Sequence, residues 1–244
     1  MRWIYEGATT RGPIRDLNED AFRVGSELIC DGKEGVVRGH ARYGAPFIAA
    51  LADGMGGHAY GEVASALVIR CLDHKVWAGE LSPSNRIRRE LEAAHLSLCG
   101  MATADGKSPG STVVGVYHDG DNFFCFNAGD SRLYRFREGT LSQLTTDHTM
   151  QARYGGAYKR NVLYNCVGGG GFDLEIAINN VPPMVRSDDL LVMVSDGLYD
   201  GLSDTMLRDA LVDCRSAEEL LAMAIAAGSQ DNVTVIILKL GDTD

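Results

Sequence analysis

The apolar run Phe47-Ile48-Ala49-Ala50-Leu51-Ala52 stops abruptly at Asp53-Gly54, and the same pattern returns along the chain. Leu190 to Val194 ends at Ser195-Asp196-Gly197, Phe123 to Phe126 ends at Asn127-Ala128-Gly129-Asp130, and Asp231-Asn232 opens the run Val233 to Leu238. Short continuous apolar runs bounded by turn residues predict strands buried on both faces. The segment before Ala52 reads as short strands, interrupted by a glycine-rich, charged excursion from Asp31 to Gly44. From Gly61 to Ala78 the period changes, and Val63, Leu67, Ile69 and Val76 fall near one helical face. A second helix is predicted from about Ser84 to Ala104, with Ile87, Leu91, Ala94 and Leu98 on one side. Arg86, Arg88, Arg89, Glu90 and Glu92 populate its other face, as expected of a solvated surface.

Ser111 to Thr145 is strongly β, with turns at His118 to Asn122 and at Glu138-Gly139-Thr140. Strands are also predicted over Asp173 to Asn179 and Leu190 to Ser195, separated by Pro182-Pro183. Two short helices follow, one near Ser203 and one opened by a capping box between Ser216 and Glu219. Val233 to Leu240 closes the chain as a strand. Consecutive hairpins give antiparallel sheets, and helices in two separate pairs require outer faces to cover. The expected fold is α+β, a four-layer α/β/β/α sandwich of two antiparallel sheets flanked by helix pairs.

Composition adds limits. The chain has 244 residues, 45% hydrophobic and 23% charged, with no Pro/Ser-rich linker, so a single domain over residues 1–244 is expected. A net charge of -10 argues against nucleic acid as a partner and leaves room for a carboxylate cluster that binds divalent metal. The six cysteines are dispersed without a Cys-x-x-Cys pair and read as reduced core residues of a cytoplasmic protein. Met1 to Glu6 lacks a signal-peptide apolar region, and no run approaches membrane-spanning length, so no membrane partner is expected. The absence of a coiled-coil pattern or a long apolar stripe points to a monomer.

One Asp-Gly after a strand is as consistent with a turn as with a site. Recurrence shifts the reading, because Glu19, Asp20, Asp53, Asp130, Asp196 and Asp231 then supply acids for one shared cation site. Carboxylates without histidine or thiolate partners favour Mg²⁺ or Mn²⁺ over zinc. A water held between two such cations is acidified and can attack phosphorus at neutral pH. A phosphate site also wants an arginine for bidentate contact, and Arg15 is the candidate.

The motifs Arg15-Asp16-Leu17-Asn18-Glu19-Asp20, Ala52-Asp53-Gly54-Met55-Gly56-Gly57-His58, Gly110-Ser111-Thr112, Gly129-Asp130-Ser131-Arg132, Thr146-Asp147-His148, Ser195-Asp196-Gly197-Leu198-Tyr199-Asp200 and Ser229-Gln230-Asp231-Asn232 occur in order along the chain. In this order the chain resembles the metal-dependent (PPM, type-2C) protein phosphatases of bacteria over essentially its whole length. The resemblance implies that Asp53 bridges two core Mn²⁺ or Mg²⁺ ions, with the Gly54 carbonyl on one of them. Asp196 and Asp231 would ligate the other, and Glu19 and Asp20 would complete the shell, partly through water. Asp130, with Asp196, matches the position of a third, weaker metal, and Arg15 would hold the substrate phosphate. The implied reaction is hydrolysis of phosphoserine or phosphothreonine by in-line attack of the metal-bridging water. A phosphorylated protein is the implied substrate, and a bacterial Ser/Thr kinase the implied counterpart. Asp53, Asp196 and Arg15 are thus the expected catalytic residues.

Asn18 and Asn232 are expected to hold loops, Asp147-His148 to form a structural turn, and His58 to cap a helix as readily as to donate a proton. Animal members carry a histidine two residues after the bridging Asp. Met55 stands there instead, so a metal-bound water is left to protonate the leaving group. Between His148 and Arg160-Asn161-Val162-Leu163 the chain is short and carries Gly155-Gly156, so this shortened flap (about 149–160) is not expected to form the helices usual in relatives. The flap and the Asp31 to Gly44 excursion are candidate specificity elements. Two other readings share the fold: a phosphoprotein-binding module with vestigial catalysis, and a hydrolase of small phosphate esters.

Overall fold

A computed structural model describes residues 1–55, 60–73, 81–101, 108–156, 158–171, 173–180 and 185–241. In chain order the elements are β1 (Arg2–Thr10), β2 (Asp20–Val24), β3 (Glu27–Ile29), β4 (Gly35–Arg42), β5 (Phe47–Met55), α1 (Gly61–Cys71), α2 (Pro83–Cys99), β6 (Gly110–Ser111), β7 (Val113–His118), β8 (Phe123–Ala128), β9 (Arg132–Arg137) and β10 (Thr140–Gln143). The rest are α3 (Met150–Tyr154), β11 (Val167–Gly168), β12 (Ala177–Asn180), β13 (Leu190–Val194), α4 (Asp196–Gly201), α5 (Asp204–Val212), α6 (Ala217–Ala226) and β14 (Val233–Gly241).

The strands form two antiparallel sheets. One has the order β10-β9-β13-β14-β1-β4; the other runs β11-β6-β5-β7-β8-β12, with β2 and β3 attached beside β5. Side chains alternate across each strand, and both faces are covered. On β5, Phe47, Ala49 and Leu51 enter the core between the sheets, while Ile48, Ala50 and Ala52 face α1 and α2. On β14, Ile236, Leu238 and Leu240 enter the same central core, and Val233 and Val235 pack under α4, α5 and α6. Burial on both faces explains why these strands are continuous apolar runs. The four-layer sandwich is the architecture expected from the sequence.

Local signals set the helix ends. Ser82 accepts a hydrogen bond from the Asn85 N–H ahead of Pro83, and the Ser216–Glu219 capping box closes in both directions at 3.2 and 2.9 Å. Several expectations need correction. The excursion at 31–44 contains β4, an edge strand whose residues alternate between half-buried and exposed, so its charges sit on a strand's outer face. The strand expected from Asp173 starts only at Ala177. Helix α1 stops at Cys71 rather than Ala78, and α2 at Cys99 rather than Ala104; residues 74–80 and 102–107 lie outside the described part. Helix α4 starts at Asp196, ahead of the helix expected near Ser203, and was not among the expected elements. In the flap, where no helix was expected, Thr149 caps the five-residue α3 through the Ala152 N–H at 3.1 Å.

Candidate metal centre

The acids come together because the strands that carry them end at the same edge of the sandwich. Asp20, opening β2, lies directly opposite Asp53 on β5. On the other sheet, β13 and β14 are neighbours; Asp196 follows the first, and Asp231 precedes the second. Asp130 sits in the connection from β8 to β9, where the chain passes from one sheet to the other.

Polar neighbours fasten the backbone at Asp53 and at Glu19. The Asp53 N–H donates to Thr112 Oγ1 at 3.0 Å, and its carbonyl accepts from the Thr112 N–H at 2.8 Å and Ser111 Oγ at 3.0 Å. Thr112 Oγ1 is itself 2.6 Å from Ser131 Oγ. Asn232 Oδ1 accepts from the Glu19 N–H at 2.8 Å while its amide donates to the Arg11 and Leu17 carbonyls, tying the Glu19 loop to the start of β14. Asn18 donates to Thr9 Oγ1 and the Lys33 carbonyl, so both asparagines fasten loops. Glycine is required where backbones touch: a Cβ on Gly54 would run into the Gly61 carbonyl, and one on Gly197 into the Asn232 carbonyl.

A cavity of about 550 Å³ opens over this edge, lined by Arg15, Glu19, Asp53, Gly54, Asp130, Asp196 and Asp231, together with Met55, Thr112, Asn161, Val162, Leu163, Cys166 and Gly169. Asp20 is buried behind it. Ser195 Oγ and Thr234 Oγ1 donate to Asp20 Oδ2 at 2.9 and 2.6 Å, and its Oδ1 is buried with no hydrogen-bond partner. Arg15 Nη2 lies 2.6 Å from Asp231 Oδ2.

Burial and mutual repulsion disfavour ionisation here. Burial first, then Asp20, Asp196, Asp130 and Asp231, push the Asp53 carboxyl well above the usual range. Burial and Asp231 raise Asp196, against a hydrogen bond with Asp53 that lowers it. Burial raises Asp20 to about 7 despite its two hydroxyl donors, and burial with Asp196 raises Asp130 to about 7. Burial also raises Glu19. Concentrated carboxylates that resist carrying charge are stabilised by an added cation. The donors are all oxygen, which suits Mg²⁺ or Mn²⁺, and the unpaired Asp20 Oδ1 is an acceptor awaiting a donor or a cation. Among the described residues, no three acidic, histidine or cysteine side chains are grouped closely enough to hold a metal ion as they stand. Asp231 is paired instead with Arg15, and Asp20 Oδ2 with Ser195 and Thr234.

Neighbouring groups fix the frame. Arg132 clamps Asp147 through Nε and Nη2 at 3.1 and 2.7 Å and stacks 3.8 Å over the Tyr199 ring, whose hydroxyl donates to the Asp130 carbonyl. His148 is buried, and its Nδ1 faces the Gly129 N–H and the Asn165 amide, so burial lowers its pKa and its role is structural. His58 lies outside the described residues. A side pocket of about 150 Å³ adjoins Asp130 and Asp196 and is bounded by Arg160, Asn161, Tyr199 and Asp200, with Arg160 paired to Asp200. Sequence reading missed Ser195, Thr234 and Ser131 as supports. Their signal was slight: a hydroxyl residue beside each acid-bearing strand end.

The sequence model of protein phosphatase 2C matches residues 36–225. The chain belongs to the protein phosphatase 2C family. The serine/threonine protein phosphatase PstP of Mycobacterium tuberculosis is 29% identical over 98% of this chain, which spans 45% of PstP's own length. Serine/threonine phosphatase Stp of Listeria welshimeri is 29% identical over 96% of this chain and 94% of its own. Among solved members of the protein phosphatase 2C family, the M. tuberculosis PstP/Ppp crystal structure superimposes with a TM-score of 0.78 at 28% identity, covering 99% of this chain and 100% of that one. The PstP catalytic domain in complex with two manganese ions covers the same shares, with a TM-score of 0.77 at 28% identity.

Proposed function

We propose that this chain is a metal-dependent protein phosphatase that hydrolyses phosphoserine and phosphothreonine. The observation that carries the reading is the convergence of Glu19, Asp53, Asp130, Asp196, Asp231 and Arg15 on one cavity from both sheets. Asp53, the Gly54 carbonyl, Asp196 and Asp231 would hold two Mn²⁺ or Mg²⁺ ions at this edge. Glu19 and Asp20 would support the shell, Asp20 from behind through its free Oδ1. Asp130 and Asp196 are the residues for a weaker third ion.

When bound, the ions supply an acidified water and neutralise phosphate charge. The chain's own residues do the rest. Arg15, paired with Asp231 at the cavity, would offer the rest of its planar guanidinium to the non-bridging phosphate oxygens, which its fork matches. Asn161, Val162 and Leu163 close one wall of the cavity. Met55 offers no proton, so the leaving serine or threonine oxygen takes its proton from water at the site.

A Ser/Thr kinase is the expected counterpart. The free, dispersed cysteines support a reducing, cytoplasmic setting, and the lack of a coiled-coil pattern in the sequence supports a monomer. Among the described residues no helix is long and apolar enough to cross a membrane. With Mn²⁺, the purified protein is expected to dephosphorylate phosphothreonine peptides and para-nitrophenyl phosphate. Asp53→Ala and Asp196→Ala are expected to lose at least about 10²-fold in kcat and to weaken Mn²⁺ binding in calorimetry. Phosphopeptide binding without turnover at saturating Mn²⁺ would overturn the reading.

A further inference from the structure

Residues 149–165 border the catalytic cavity, into which Asn161, Val162 and Leu163 project a wall, and they bring basic and aromatic side chains to its outer rim. They carry Arg153, Lys159 and Arg160 and three tyrosines but no Asp or Glu, in a chain of net charge -10. Arg160 is committed to Asp200. Arg153 and Lys159 are exposed and have no carboxylate partner among the described residues. Beside them, Tyr154, Tyr158 and Val162 are 61%, 43% and 42% exposed. Exposed aromatics grouped beside cations that, among the described residues, no carboxylate neutralises form a surface suited to contact with an acidic, partly apolar partner.

The segment is held at its base. The Met150 N–H donates to the Val162 carbonyl at 2.7 Å, the Tyr164 N–H to the His148 carbonyl at 3.0 Å, and Thr149 bridges Leu163. Arg153 lies 4.5 Å over the Tyr164 ring and 5.7 Å from that of Tyr154, and the rings of Tyr154 and Tyr158 are 5.9 Å apart. The cations and tyrosines therefore stand on a closed loop, not a free one. The surface is continuous with the catalytic cavity, since Val162 lines that cavity and is also exposed. A segment that projects a phosphate into the cavity past Val162 would lay its flanking residues on this ledge.

We infer that the ledge of Arg153, Tyr154, Tyr158 and Lys159 docks the flank of the phosphorylated segment, and that it selects substrates with acidic residues and one large apolar side chain beside the phosphoresidue. This rests on the phosphatase reading above. The tyrosines offer flat area at low entropy cost, and the cations read the sign of the flank. Charge at such a rim acts on encounter and KM more than on the chemical step.

The test uses the Mn²⁺-loaded protein and two phosphothreonine peptides, one flanked by Asp, Glu and Phe and the other by Lys, Arg and Gly. The first is expected to have a kcat/KM about tenfold higher, mostly through KM, with the preference shrinking as salt rises from 50 to about 500 mM. Lys159→Glu, whose side chain takes no part in holding the loop, is expected to cut that preference by about three- to tenfold while leaving para-nitrophenyl phosphate turnover unchanged. Tyr154→Ala is expected to raise KM for the Phe-bearing peptide alone. Equal rates on the two peptides, or a preference that Lys159→Glu does not alter, would overturn the inference. Failure to turn over any phosphopeptide would instead count against the phosphatase reading.

Discussion

Thr112 joins the fold to the chemistry through one hydroxyl, which accepts from the Asp53 N–H and meets Ser131 Oγ. Thr112→Val keeps the shape and removes that oxygen, leaving two buried polar groups unpaired. A loss of about 1–3 kcal/mol in urea denaturation is expected, with weaker Mn²⁺ binding by calorimetry. The acids themselves set a pH trend. Asp20 and Asp130 titrate near 7 in the folded chain, above the ordinary carboxylate value near 4. Between those limits the native state holds more protons than the unfolded one, so metal-free protein loses stability as pH rises from about 4 to about 7. Thermal melts with EDTA should show that fall, and excess Mn²⁺ should raise the melting temperature more at pH 8 than at pH 5. Asp189 has the opposite sign. Arg137, at 2.5 and 2.6 Å, holds its carboxyl below the usual range against burial. Its contribution is present above about pH 4 and fades as pH falls through the folded value, so Asp189→Asn should flatten the acid limb of a stability profile. Asp53, Asp130, Asp196 and Asp231 were legible in the sequence because each sits where an apolar run ends or begins. Glu19 and Asp20 were legible only through their motif with Arg15 and Asn18. Ser195 and Thr234 were not, since a hydroxyl beside an acid has no meaning until two strands are neighbours.

At the scale of elements, recognition depended on how strongly each piece is specified by its own residues. Strands β5, β7, β8, β13 and β14 are apolar runs buried on both faces, and α6 announces itself through its capping box. Ser216→Ala should cost about 1 kcal/mol in urea denaturation and leave kcat untouched, because that cap lies on the outer helix layer. Edge strand β4 was hidden because only its pairing with β1 makes it a strand; its sequence is glycine-rich and charged. Helix α4 was hidden for a different reason. Its start, Asp196-Gly197, reads as a turn, and the close approach of Asn232 to Gly197 that admits a helix there comes from 35 residues further on. Gly197→Ala therefore tests the contact between elements: the added methyl meets the Asn232 carbonyl, and loss of both stability and Mn²⁺ affinity is expected.

Across the whole molecule, the three cores stack as layers, and the site lies where the two sheets end together. Strand β14 occupies the middle of its sheet, between β13 and β1, with Arg2 opposite Gly241 and Thr10 opposite Val233. Strand β14 thus joins the β1–β4 pair to the β10–β9–β13 ribbon, and Asp231, an acid of the cavity, stands just ahead of it. Loosening this one strand would part the sheet and displace a cavity carboxylate in the same event, so the cohesion of the sheet and the geometry of the acids are coupled rather than separate properties.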